Sequence, residues 1–174
     1  MRNKLSCGAG SRFARKIENG FALIELIVVI GIVSILFGIS TISLLSVRNT
    51  ASLNTAVATF VNDLKSQQIK AMAGDTEGRA SHDSYGIYLE PKRYILFHGP
   101  TYSSSDPANF AITLQEDLQI INVLFPSSQI IFTSVSGDTA NFTAGANRLT
   151  IQNVNDNSTK TIQINRYGVI TAIN

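Results

Sequence analysis

Three regions follow one another along the chain. Residues 1–20, MRNKLSCGAGSRFARKIENG, are polar and basic. Residues 21–45, FALIELIVVIGIVSILFGISTISLL, are almost wholly apolar and carry one charge, Glu25. Residues 46–174 are polar and rich in Ser, Thr and Asn. At a rise of about 1.5 Å per residue, a helix over 21–45 extends about 37 Å, against a bilayer core of about 30 Å. The helical period then continues. Leu53, Val57, Phe60, Val61, Leu64, Ala71 and Met72 share one face, and Asn54, Asn62, Lys65, Ser66 and Lys70 take the other. No proline occurs before Pro91, and Gly74 suits a C-cap. One helix over 21–73, about 80 Å long, is predicted. Its first half should protrude and its second half, 46–73, should pack on a globular head.

After Gly74 the period changes to that of strands. A polar loop over 74–83 precedes Tyr85–Glu90 and Arg93–Phe97, two runs about Pro91-Lys92 that read as a hairpin. Residues 99–109, with Pro100, Pro107 and three serines, read as a loop. Leu118–Phe125, Gln129–Thr133, Arg148–Gln152, Thr161–Asn165 and Gly168–Ile173 are further strand candidates, and Asn155–Ser158 is rich in turn formers. The pattern predicts an α+β chain: one long N-terminal helix on an antiparallel head (residues 74–174) of six or seven short strands, in one sheet or two.

Charge adds topology. The first region carries Arg2, Lys4, Arg12, Arg15 and Lys16 against Glu18, so the N-terminus should stay in the cytoplasm and the head lie outside. The apolar run is too long for an ordinary secretory signal, and no small-x-small cleavage site follows it. The net charge of +2 excludes a dedicated nucleic-acid coat. One cysteine, Cys7, rules out an intramolecular disulfide framework, and with only two histidines a multi-ligand zinc site is excluded too. No cofactor and no metal are expected.

Two features stand out inside the apolar run. Glu25 places a carboxylate where it costs about 2.5–3.5 kcal/mol at the bilayer centre and less near the interface. It either complements the positive end of the helix or meets a specific partner. Gly31, Ser34, Gly38 and Thr41, spaced 3, 4 and 3, form a small-residue stripe along which another helix can approach.

The segment Gly20-Phe21-Ala22-Leu23-Ile24-Glu25-Leu26-Ile27-Val28-Val29-Ile30 closely resembles the N-terminal signature of type IV prepilins. That signature has a basic leader ending in Gly, Phe at the first mature position and Glu at the fifth, before an unbroken apolar helix. The resemblance implies cleavage by prepilin peptidase between Gly20 and Phe21, N-methylation of Phe21 and loss of the leader. It also implies that Glu25 meets the N-terminal amine of a neighbouring subunit, which would relieve the cost of a buried charge. Other pilin or pseudopilin subunits, the inner-membrane assembly platform and, before assembly, membrane lipid are the implied partners. The precursor would sit in a bacterial inner membrane, and the mature chain in a periplasmic or cell-surface filament. The second mature residue, often Thr, is Ala22 here. The proline common near mature position 22 is absent, so a kink there is not expected. The hairpin Tyr85–Leu89 and Tyr94–Phe97, with the late stretch 162–173 about Gly168, loosely resembles minor pseudopilins of the GspH/FimT type.

Catalysis finds little support. A Ser/His/Asp site would need His82 or His98; His82 adjoins Asp83, but sequence neighbours usually point apart. Asp75, Glu77 and Asp83 lack the ligand spacing of calcium loops. Asn141-Phe-Thr143 and Asn157-Ser-Thr159 match a glycosylation sequon that is common by chance. Three readings remain. The first is a structural subunit of a type IV pilus, type II secretion or DNA-uptake filament. The second is a minor pilin that binds DNA, for which Arg148, Lys160 and Arg166 offer a weak electrostatic term. The third is an unrelated single-span binding protein, which would not need Gly20, Phe21 and Glu25 at this spacing.

Overall fold

The computed structural model describes the chain from residue 22 onward, except residues 79 and 81 and the side chains of residues 41–46. Its first element is the helix α1 (Leu23–Ala73). The chain divides into two compact units at Thr41/Ile42.

In the first unit, the stretch Leu23–Ser40 has a mean hydropathy of 2.7 and none of it is buried. It is long and apolar enough to cross a membrane.

In the second unit, α1 contributes Leu53, Val57, Phe60, Leu64 and Ala71 to the core, following the expected period. Met72 departs from expectation and is 52% exposed. The buried stripe runs from Leu64 through Gln67 to Ala71, which turns Met72 toward solvent. The helix ends as Gly74 predicted. Gly74 sits at φ +63°, its N–H donates to Ala71 O at 3.2 Å, and the Asp75 N–H donates to Lys70 O at 3.1 Å. These two bonds satisfy orphan carbonyls of the last turn, and the left-handed backbone between them suits a residue without Cβ.

Among the described residues eight strands follow, one or two more than expected: β1 (Tyr85–Leu89), β2 (Arg93–His98), β3 (Phe110–Thr113), β4 (Leu118–Ile121), β5 (Gln129–Phe132), β6 (Arg148–Asn153), β7 (Thr159–Ile164) and β8 (Ile170–Ile173). They form two antiparallel sheets in the orders β3-β2-β1-β5 and β4-β6-β7-β8. The α+β architecture, a long helix with antiparallel sheets, is pilin-like. β3 was not foreseen, and β4 is shorter than the expected run to Phe125, because Asn122 at φ +48° leaves the extended region.

One core joins α1 to both sheets. It contains Tyr85, Ile87, Leu89, Tyr94, Ile130 and Phe132 from the first sheet, and Leu118, Ile120, Leu149, Ile151, Ile162 and Ile164 from the second. The outer face of the second sheet is polar, with Thr150 hydrogen-bonded to Thr161 at 2.9 Å and Gln119 to Gln152 at 2.8 Å. The outer face of the first sheet is instead covered by the 99–109 loop. Tyr102 stacks on Tyr88 at 4.2 Å and meets Phe97 edge-on at 5.8 Å, and its N–H donates to Gln129 Oε1 at 3.0 Å. Ile95 and Phe97 are buried as a result.

Candidate functional site

The stretch that anticipates function is the start of α1. Ala22 O accepts the N–H groups of Glu25 and Leu26 at 2.9 and 3.3 Å, which opens the helix. Glu25 lies in the first turn, where a carboxylate complements the positive helix end, and its side chain is exposed. Around it, Leu23, Ile24, Leu26, Ile27 and the apolar residues to Ile39 are all about half exposed or more. An isolated helix that is apolar all round lacks a cover, and lipid or other helices are the environments that supply one. Gly31, Ser34 and Gly38 are exposed along one stripe, and the Ser34 hydroxyl is satisfied within the helix by Ile30 O at 2.8 Å. Gly20, Phe21 and the Thr41 side chain lie outside the described residues.

The three head cations are not brought together. Arg148 pairs in register with Gln163 on the polar outer face of the second sheet. Lys160 pairs with Ile151, which faces the core, so it lies on the other side of the same two strands. Arg166 follows β7 and holds its guanidinium 5.4 Å from the Tyr167 ring centroid. Such a distribution gives no continuous basic track.

The other candidates resolve into structural roles. His82 Nδ1 contacts Gly74 O beside the helix cap, and Asp83 Oδ1 accepts the Ser84 N–H. Among the described residues, no group of three or more His, Cys, Asp or Glu is placed to hold a metal. Asn141 spends its amide on Gln129 O at 2.7 Å, whereas Asn157 stands exposed in the β6–β7 turn. An open polar groove of about 740 Å³ includes Arg48, Ser52, Gln115, Asp117 and Asn155 in its lining. Asp117 is already engaged there by the Asn153 amide at 3.1 Å and the Ser52 hydroxyl at 3.2 Å.

Sequence reasoning missed a cluster of polar and aromatic groups, buried at Tyr85 and His98, at the other end of this helical segment. Lys70 Nζ lies 2.6 Å from Glu77 Oε1 and 5.6 Å from the Tyr85 ring centroid. Tyr85 in turn stacks on His98 at 4.3 Å. The β1–β2 register pairs Tyr85 with His98, and the loop after α1 brings Glu77 to them.

Comparison with known proteins bears on the N-terminal stretch. Residues 15–41 match the prokaryotic N-terminal methylation motif. No curated protein and no solved structure matches the chain. The motif and the exposed apolar helix together fit a membrane-anchored precursor of the type IV prepilin kind. More narrowly, the motif supports a pilin- or pseudopilin-like subunit, structural rather than enzymatic, and implies processing by prepilin peptidase and assembly with other pilins.

Proposed function

We propose that this chain is a minor pilin or pseudopilin of the GspH/FimT type, working in a type IV pilus, type II secretion or DNA-uptake filament. Prepilin peptidase removes the leader, residues 1–20, by cutting between Gly20 and Phe21, and Phe21 is N-methylated. Residues 21–45 hold the precursor in the inner membrane and later pass into the filament core. Residues 46–73 and the head, 74–174, then lie outside the cytoplasm. Glu25 pairs with the N-terminal amine of a neighbouring subunit, and Gly31, Ser34, Gly38 and Thr41 let its helix approach closely.

One observation carries this reading: the methylation motif at 15–41 runs into a helix whose apolar side chains are exposed on all sides. The intact mass of the protein from cells with and without prepilin peptidase tests it. The expected result is loss of residues 1–20 and gain of one methyl group only where the peptidase is present. The same full-length mass in both strains overturns the reading.

A further inference from the structure

The first charge after the apolar run opens onto a groove of mixed sign. Past Glu25 the chain carries no charged residue until Arg48. Arg48 lines the open groove of about 740 Å³ together with Ser52, Gln115, Glu116, Asp117 and Asn155. Its cation and its carboxylates do not neutralise one another. Among the described residues, neither Arg48 nor Glu116 has an ion-pair partner, and both are exposed. Lys92 gives its ammonium to the backbone oxygens of Glu116 and Leu118, both at 3.1 Å, and not to the carboxylate. Asp117 receives the Asn153 amide at 3.1 Å and the Ser52 hydroxyl at 3.2 Å, both on Oδ2, so Oδ1 is left to other donors. The Ser52 hydroxyl also lies 2.6 Å from Gln115 Oε1, which leaves the Gln115 amide nitrogen as a donor.

We propose that this groove binds the headgroup of an ethanolamine phospholipid, with Arg48 on the phosphate and Glu116 and Asp117 on the ammonium. A guanidinium holds phosphate through two parallel N–H donors, and carboxylate oxygens accept the N–H groups of a primary ammonium. Other common headgroups fit less well. A choline headgroup has no N–H to donate, and a glycerol headgroup brings a negative charge toward two carboxylates with no cation to offset it. The source of the headgroup is the membrane itself. Arg48 stands three residues past Leu45, where the apolar run ends, a rise of about 4.5 Å along the helix. That places its guanidinium at the depth of lipid phosphates, where cations past a spanning helix are held. The assignment rests on the reading that residues 21–45 hold the precursor in the bilayer. It adds that the base of the head is fastened to one kind of lipid before assembly.

Native mass spectrometry of the full chain, released from nanodiscs with equal ethanolamine and glycerol phospholipids, tests this. Ethanolamine lipid should be retained about fivefold over glycerol lipid, the factor expected for one surface charge contact. Glu116→Gln should abolish the preference but keep lipid bound. Arg48→Gln should lower retention of both lipids. Lys65→Gln, which removes a cation of α1 that does not line the groove, should change neither. No preference in the parent overturns the assignment, and so does a preference that survives in both Arg48→Gln and Glu116→Gln. Cleavage of each chain by prepilin peptidase reports membrane insertion separately. Lost selectivity in a parent that is cut normally counts against the groove alone. A parent that is neither inserted nor cut overturns the anchoring reading and the lipid site with it.

Discussion

Tyr94 on β2 donates its phenolic hydrogen to Asp63 Oδ2 on α1 at 2.5 Å, a bond that ties the helix to the middle of the first sheet. The Tyr94 ring is buried and meets Phe60 edge-on at 5.1 Å. Burial first, and then the hydrogen bond and charge of Asp63, raise the Tyr94 pKa well above the usual tyrosine value. A raised folded-state value means that stability is fully present below the unfolded pKa of about 10 and is lost as pH rises beyond it. Tyr94→Phe should cost about 1–2 kcal/mol at pH 7, because it strands the Asp63 oxygen. It should also make the alkaline fall in stability shallower than in the parent. Denaturation followed by circular dichroism at pH 7 and pH 10.5 checks both, and parallel losses in the two proteins would count against this tie.

Gly86 is where two strands and a ring crowd together. A Cβ there would run into the Phe97 ring and lie 2.7 Å from Ile130 O on β5. A side chain can rotate away, but a backbone oxygen held in the β1–β5 ladder cannot. Gly86→Ala should therefore destabilise the head by about 1–3 kcal/mol, as overpacking does elsewhere. The chain has no Trp, so tyrosine fluorescence against denaturant reads the change. An unchanged midpoint would show that the ladder shifts freely.

How far the sequence announced this fold depends on how each element is held. Leu53, Val57, Phe60 and Leu64 keep a helical period because a single face of α1 meets the core. Leu149 and Ile151, or Ile162 and Ile164, alternate with polar residues because the second sheet is solvated on one side. The first sheet is buried on both sides, and the cover over Ile95 and Phe97 is a Ser- and Pro-rich loop whose contribution rests on Tyr102. No periodicity signals that. β3 escaped notice because it is an edge strand, set by backbone pairing to β2, with only Ile112 among its side chains turned partly inward. At the N-terminus, Glu25 was legible because a lone charge in an apolar run has no packing reason to be there. The meeting of Glu77 with Tyr85 and His98 was not, because it depends on the loop after α1 and on the β1–β2 register together.

The small-residue stripe makes a prediction separate from the head. Among the described residues, nothing lies within 4 Å of where a Cβ on Gly38 would stand. If the stripe serves close approach to another helix, Gly38→Leu should leave the head's stability unchanged and lower incorporation into filaments. Sedimentation of sheared filaments, with the membrane fraction as the complement, separates the two effects. Undiminished incorporation would remove the stripe from the assembly surface.

Glu25 carries the sharper expectation. Its carboxylate lies one turn into a helix whose other described residues to Ser40 bear no charge, so in the bilayer it costs free energy that a cation from outside the chain can offset. Removing it should therefore make insertion in lipid easier and assembly harder. Glu25→Ala should be cut by prepilin peptidase as the parent is, reach the membrane in equal amount, and enter filaments at least tenfold less. Glu25→Gln keeps the shape and loses the charge, so it should fail in the same way if pairing with an amine is what matters. If Glu25→Gln assembles normally while Glu25→Ala does not, side-chain shape rather than charge sets the register. Normal assembly of both would leave Glu25 with only its effect on the helix terminus, about 0.3–1 kcal/mol.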